Sequence, residues 1–319
     1  MGKVYAIGEM LIDFTPCGEE GVFKRNAGGA PANVAVCVAR LGGESAVISK
    51  LGKDLFGDYL VNVLQKENVD SRFVYRTDAA NTALAFVTLD EEGDRSFSFY
   101  RNPSADLFLN EQEVTKVPFK KGDILHFGSV DLVDYPVRGA HMSAISHAKG
   151  VGAIVSFDPN LRYNLWKNPK ELLDTVNTFI PFADVVKVSE EELADITGIS
   201  DEKEAVRKLF RGDVRLIFVT RGGKGASVYT KSGSVYSSAS EHANCVDTTG
   251  AGDTFIGAIL FQLLRSGKSR EELDTIGGLQ NWLRFANKAA WFVVQRPGAI
   301  PAMPSYFEVF GEEGKSSGN

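Results

Sequence analysis

Short apolar runs rich in β-branched residues alternate along this chain with amphipathic stretches of helical period. Val4–Ile7, Ala46–Ser49, Ile124–Phe127, Ala153–Phe157, Val185–Val188 and Leu216–Thr220 have the continuous apolar character of strands buried on both faces. Between them, Pro31 to Leu41 places Val34, Cys37, Val38 and Leu41 at i, i+3, i+4 and i+7, with Gly42 as a stop. Further helices are expected over Phe56–Lys66, Val137–Lys149, Pro169–Ile180, Glu190–Thr197 and Glu202–Arg211. Phe255, Ala258, Ile259 and Leu263 also share one helical face. The alternation predicts an α/β fold, a doubly wound and mostly parallel sheet flanked by helices.

One region breaks this rhythm. Thr82–Leu89 and Arg95–Arg101 alternate with period two around a turn at Asp90–Asp94, which predicts a β-hairpin, and Phe14–Ala27 could add strands beside it. Such a small β-sheet would either cover the carboxyl edge of the main sheet as a lid or merely extend that sheet. Taken as a lid, it comprises 14–27 and 73–102. The α/β core then comprises 1–13, 28–72 and 103–313, and 314–319 form a disordered tail.

Composition narrows the function. Of 319 residues, 44% are hydrophobic and 24% charged, an ordinary globular balance. Thirty-five Lys and Arg against 41 Asp and Glu leave a net charge of −6, which argues against a broad electrostatic grip on nucleic acid or an anionic membrane. The three cysteines are far apart and build neither a zinc set nor a disulfide framework, and no apolar run suits a signal peptide or a membrane span. A reducing, cytoplasmic setting is expected. Two Gly-Lys-Ser triplets meet Gln262 and Val309 where a Walker loop needs glycine. Gly223–Gly225 and Gly250–Gly252 meet Val228 and Phe255 where a dinucleotide fingerprint needs one.

Four stretches remain. Asp247-Thr248-Thr249-Gly250-Ala251-Gly252-Asp253 precedes an amphipathic run, so its small residues fall at a helix N-terminus. There, unpaired backbone amides and the helix dipole hold anions. Asp253 in the first turn is expected to stay ionised and to accept a proton from a hydroxyl. A glycine-rich turn with a helix-stabilising aspartate would look the same. Ala27-Gly28-Gly29-Ala30-Pro31-Ala32-Asn33 sets two glycines before a helix-opening proline, with Asn33 one turn in, facing either a polyhydroxyl ligand or solvent. Phe157-Asp158-Pro159-Asn160-Leu161-Arg162 follows a strand, as ligand-binding polar groups do, or forms an Asx turn. Thr220 to Gly225 is a glycine-rich turn after a strand, suited to close approach by a nucleotide or to a plain hairpin.

These stretches, in this order, resemble the ribokinase-like sugar kinases, the PfkB carbohydrate kinase family, from Val4 to about Pro304. Gly28 to Asn33 with Gly42-Gly43 and Gly52 resembles one family motif, and Asp247 to Asp253 the other. Phe99 to Asp106 and Phe157 to Arg162 look most like fructokinases. The resemblance implies a ribokinase-like fold and transfer of the ATP γ-phosphoryl to a primary sugar hydroxyl, fructose foremost. Asp253 would be the base, and the Gly250, Ala251 and Gly252 amides an anion hole. Asp13, Gly29, Asn33, Arg101 from the lid and Arg162 would contact sugar. Lys187, Thr220, Gly222, Gly225 and Asn287 would serve the nucleotide. Glu192 would organise magnesium-bound water, although Ser189 replaces the usual asparagine of that motif. Asp247 and Thr249 match the start of a monovalent-cation loop for potassium, but Ala302 stands where some relatives have a serine ligand. The implied partners are a small sugar and ATP, without nucleic acid or membrane, and a homodimer through the lid should one lid face expose apolar side chains. Other acceptors within the resemblance are 2-keto-3-deoxygluconate, ribose and nucleosides. A catalytically silent sugar-sensing relative is a third reading, against which the intact Gly250 to Asp253 argues.

Overall fold

The computed structural model describes residues 2–19, 21–89, 95–240 and 244–311. Its strands are β1 (Val4–Ile7), β2 (Leu11–Pro16), β3 (Phe23–Gly28), β4 (Ser45–Gly52), β5 (Asp70–Thr77), β6 (Ala83–Leu89), β7 (Arg95–Tyr100), β8 (Ile124–Phe127), β9 (Ile154–Phe157), β10 (Val185–Ser189), β11 (Leu216–Thr220), β12 (Ala226–Thr230) and β13 (Gly233–Ser237). One sheet runs β13-β12-β11-β10-β9-β8-β1-β4-β5. From β11 to β5 its strands are parallel, and β12 and β13 close one edge antiparallel. The α/β expectation therefore holds. Strand order reverses between β1 and β8, and the crevice at such a reversal is where ligands bind in this architecture.

Two apolar layers sandwich the sheet. Helices Ala30–Arg40, Leu55–Lys66, Ala251–Ser266 and Leu279–Val294 pack on one face through residues such as Val34, Leu60, Ile259 and Leu283. Helices Pro136–Gly150, Pro169–Phe179, Glu190–Thr197 and Glu202–Leu209 pack on the other through Ile145, Val176, Leu193 and Val206. The pattern above assigns no element to 279–294. Yet Leu279, Leu283, Ala286 and Val293 are buried there at steps of four, three and seven, a helical period that is present in the chain.

A second, four-stranded sheet has the order β3-β2-β6-β7. The predicted hairpin is its β6–β7 pair, antiparallel as expected, and β2 and β3 join it. Its extent differs from the expected lid. Leu11–Asp13 already belong to β2, and β5 is the outer strand of the large sheet beside β4. The turn at Asp90–Asp94 and the tail at 314–319 lie outside the described residues. On the small sheet, Leu11, Asp13, Ala85 and Phe99 share one face by register, and Phe14, Phe23, Phe86 and Tyr100 share the other.

Two helices set the geometry of the site. Ala30–Arg40 and Ala251–Ser266 cross where a Cβ on Gly257 would lie 2.8 Å from the Cys37 Cβ. No larger residue than glycine allows that approach without displacement. Asn33 and Asp253 each stand one turn before this crossing, so the contact that seats the helices also brings these two side chains together.

Candidate active site

A cavity of about 500 Å³ lies between the small sheet and the carboxyl ends of the parallel strands. Asp13, Gly29, Asn33, Arg162, Lys187, Thr249, Gly250, Gly252 and Asp253, all anticipated from the chain, line it. Asn33 is 5% exposed and donates from Nδ2 to Asp253 Oδ2 at 2.8 Å, so it faces the cavity and not solvent. Its Oδ1 is buried without a protein partner, which leaves one acceptor available to a ligand hydroxyl. Asp253 is the third residue of its helix. Its carboxyl is nevertheless raised above the usual aspartate range: burial is the main cause, the Asn33 amide opposes it, Asp158 adds to it, and Lys187 and Arg162 oppose it. A carboxyl raised in this way is a stronger base.

Asp13 is pushed up to about 7 by burial and by the Asp253 charge, against Arg162. Lys187 pairs with Asp158 at 3.0 Å and is 6% exposed. Burial alone would lower its pKa, but Asp158, Glu192 and Asp253 more than offset this, so the ammonium stays charged. Its Nζ lies 3.1 Å from where a Gly252 Cβ would stand, which sets a cation over the glycine turn.

That turn is built from two loops. Gly250 has φ +79°, and a Cβ there would come 2.8 Å from the Ala299 Cβ. Asp247 ties the loops together, accepting from Thr249 N–H at 2.8 Å and from Gly298 N–H at 2.9 Å. Of the three amides assigned to an anion hole, that of Ala251 already donates to the Thr248 carbonyl oxygen at 3.2 Å. Gly250 and Gly252 are the better placed donors.

A second cavity of about 180 Å³ is lined by Thr220, Gly222, Gly225, Ala251, Gly252 and Asn287, among others. The 220–225 turn is a hairpin turn between β11 and β12, and it also borders this cavity. Asn287 donates to the Ser237 and Ser238 carbonyl oxygens, which fixes the wall opposite. The two cavities share Gly252.

The pfkB family carbohydrate kinase domain matches residues 1–305. The chain belongs to that family. It is 43% identical over 314 residues to probable fructokinase-2 of Arabidopsis thaliana, covering 95% of this chain and 93% of that protein. A fructokinase from Xylella fastidiosa with bound ATP superposes with a TM-score of 0.89 at 34% identity, over 97% of both chains. A double-mutant fructokinase from Vibrio cholerae O395 bound to fructose, ADP and potassium ion superposes at 0.88 with 36% identity, again over 97% of both.

Within this pfkB kinase, three expected site residues, Arg101, Glu192 and Asp247, line neither of these two cavities. Arg101 is 6% exposed and enclosed by Asp106 and Asp131. Burial alone would lower its pKa, but the two carboxylates raise it. It anchors the end of β7 to the core and borders a neighbouring cavity, which shares Phe99, Asn164 and Leu165 with the acceptor cavity. Glu192 lines neither cavity. Its oxygens accept from Leu161 N–H at 2.7 Å and Ser189 N–H at 2.8 Å, and the Ser189 hydroxyl accepts from Glu192 N–H. Ser189 and Glu192 thus form a capping box at the start of Glu190–Thr197.

Other cavity residues escaped the sequence reading. Glu9 follows β1 at its carboxyl end, the same position relative to a strand that singled out 158–162, and it lines the cavity. Asn160 also lines it, with φ +47°, a conformation asparagine tolerates better than most residues. Phe99 and Val130 add apolar wall. Nothing short of the folded chain brings these together.

Proposed function

We propose that this chain phosphorylates fructose at its primary hydroxyl, with ATP as donor, giving fructose 6-phosphate and ADP. The observation that carries the reading is the meeting of two cavities at Gly252, with Asp253 and its Asn33 partner on the acceptor side. Sugar occupies the larger cavity against Asp13, Asn33 and Arg162. Nucleotide lies along Thr220, Gly222, Gly225 and Asn287. Asp253 removes the hydroxyl proton as that oxygen forms its bond to the γ-phosphorus. The bond from phosphorus to the β–γ bridging oxygen breaks, and ADP leaves with its electron pair. The Gly250 and Gly252 amides and the Lys187 ammonium meet the charge on the transferring oxygens.

Among the described residues no group of three His, Cys, Asp or Glu could hold a metal ion, so magnesium fits best as an ion arriving with the nucleotide. Asp158 Oδ1, buried without a partner, and Glu192 are the acceptors that could take bonds from its water. A potassium ion beside Asp247 and Thr249 would stiffen the loop that carries Gly250. The apolar outer face of the small sheet fits a homodimer through the lid, with Tyr100 64% and Phe23 39% exposed. Free, separated cysteines fit a reducing cytoplasm, and among the described residues no helix is long and apolar enough to cross a membrane.

The test is ADP release from the purified protein with ATP and a panel of fructose, glucose, ribose, 2-keto-3-deoxygluconate and nucleosides, with potassium or tetramethylammonium as the monovalent cation. Fructose is expected to give the highest kcat/KM and potassium to raise turnover. No sugar-dependent ADP release would end the kinase reading, and preference for another acceptor would end the fructose assignment. Indifference to the cation would remove the role given to Asp247 and Thr249.

A further inference from the structure

Glu9 is 4% exposed, yet it borders the acceptor cavity. Its Oε1 accepts the Ala30 N–H at 3.0 Å, at the entry of the helix that carries Asn33. The cation acting on it, Arg101, is already enclosed by Asp106 and Asp131. That charge and the backbone N–H groups of Ala30 and of Glu9 itself hold the Glu9 carboxyl down, but burial outweighs them and leaves it raised to about 7. Two carboxyl oxygens offer about four acceptor sites, of which two amides fill two, and a carboxyl is costly to bury unless its remaining capacity is used. Around the same cavity, Asp13, Arg162, Lys187 and Asp253 already have parts in sugar binding, charge neutralisation or proton transfer. Glu9 has none, and the cavity it borders is the one that must receive a polyol.

We infer that Glu9 is a specificity-determining residue for the acceptor, its carboxyl accepting a hydrogen bond from one sugar hydroxyl while Oε1 remains on Ala30. The inference rests on the reading of this cavity as the sugar site. It makes a chemical distinction that packing alone would not. A glutamine at this position keeps one oxygen for the Ala30 amide and replaces the other with an NH2 group, which donates and cannot accept from a hydroxyl. Glu9→Gln preserves shape and the helix anchor and removes that acceptor. Glu9→Ala loses both.

The experiment measures both variants for melting temperature, for KM of fructose and of ATP, and for kcat/KM with a series of monodeoxy fructose analogues. For Glu9→Gln the expected result is a melting temperature near that of the parent and a fructose KM raised about 10- to 100-fold, as for loss of a hydrogen bond to a charged group. The KM for ATP should stay within about two-fold, since Glu9 is not a wall of the nucleotide cavity. One deoxy analogue, which the parent protein discriminates against, should be handled by the variant nearly as well as fructose. A folded Glu9→Gln with parental fructose KM and parental discrimination against every analogue overturns the inference. Should Glu9→Gln not fold, Glu9→Ala is read by discrimination alone, and unchanged discrimination overturns it equally. A parent protein that neither binds nor phosphorylates any sugar sinks the kinase reading and this inference together. An active parent with indifferent Glu9 variants sinks this inference only.

Discussion

Asp253 is held between opposed influences: burial and the Asp158 charge raise its affinity for a proton, while Asn33, Lys187 and Arg162 lower it. A base in that balance takes a proton from an alcohol without being neutralised permanently. Asp253→Asn is expected to cut kcat by ~10²–10⁴-fold with little change in ATP KM, measured by steady-state ADP release; near-parental turnover would reassign the base. Asp13 yields a stability prediction. Its carboxyl titrates near 7 in the folded chain, first through burial, then through Asp253, whereas an unfolded aspartate titrates near 4, so the native state binds the extra proton between those values. The stability linked to that proton is complete below the unfolded value and is lost as pH rises through about 7. Asp13→Asn should therefore gain stability over the parent at pH 8, on the order of 1 kcal/mol or more, and show little gain at pH 4. Ligand-free denaturant unfolding at both pH values checks this, and a gap that does not widen with pH counts against it.

At the scale of elements, the small sheet meets the core through a buried ion cluster at the end of β7. Arg101 has 6% of its side chain exposed, and Asp106 and Asp131 have 1% each. Removing the guanidinium would leave two buried carboxylates without their cation, which typically costs 3–5 kcal/mol. Arg101→Ala is expected to lower the urea midpoint accordingly, and an unchanged midpoint would show that the cluster adapts. Phe99 to Asp106 matches the family as a block, but a matching block does not by itself say which way each side chain turns. The same separation of pattern from placement runs through the other elements. Strands Val4–Ile7, Ile124–Phe127 and Leu216–Thr220 coincide with short apolar runs, because a strand buried on both faces is apolar at nearly every position. Asp70–Thr77, half-buried and polar at several positions, lacks that continuity, and its part from residue 73 onward reads as lid, although the strand pairs with β4 as an edge of the large sheet.

For the whole molecule, the outer face of the small sheet is the surface that bears on assembly. Phe14 and Phe86 stack at 4.8 Å, Phe23 and Tyr100 set their edges against Phe86, and the last two remain exposed. If this aromatic face pairs with a second copy, Tyr100→Glu should shift the protein from dimer to monomer in sedimentation velocity while its melting temperature stays near the parent's; a monomeric parent removes the proposal. Periodicity and local composition were enough to establish the α/β layering, the small antiparallel hairpin and the glycine turn that opens the helix at Ala251. These depend on steps of two or 3.6 residues and on backbone conformations that neighbouring residues dictate. The pairing of Asn33 with Asp253, the enclosure of Arg101 and the entry of Glu9 into the cavity came from packing. Each depends on contacts between residues far apart in the chain, at distances set by how closely two helices and two sheets can approach, and no local pattern encodes such a distance.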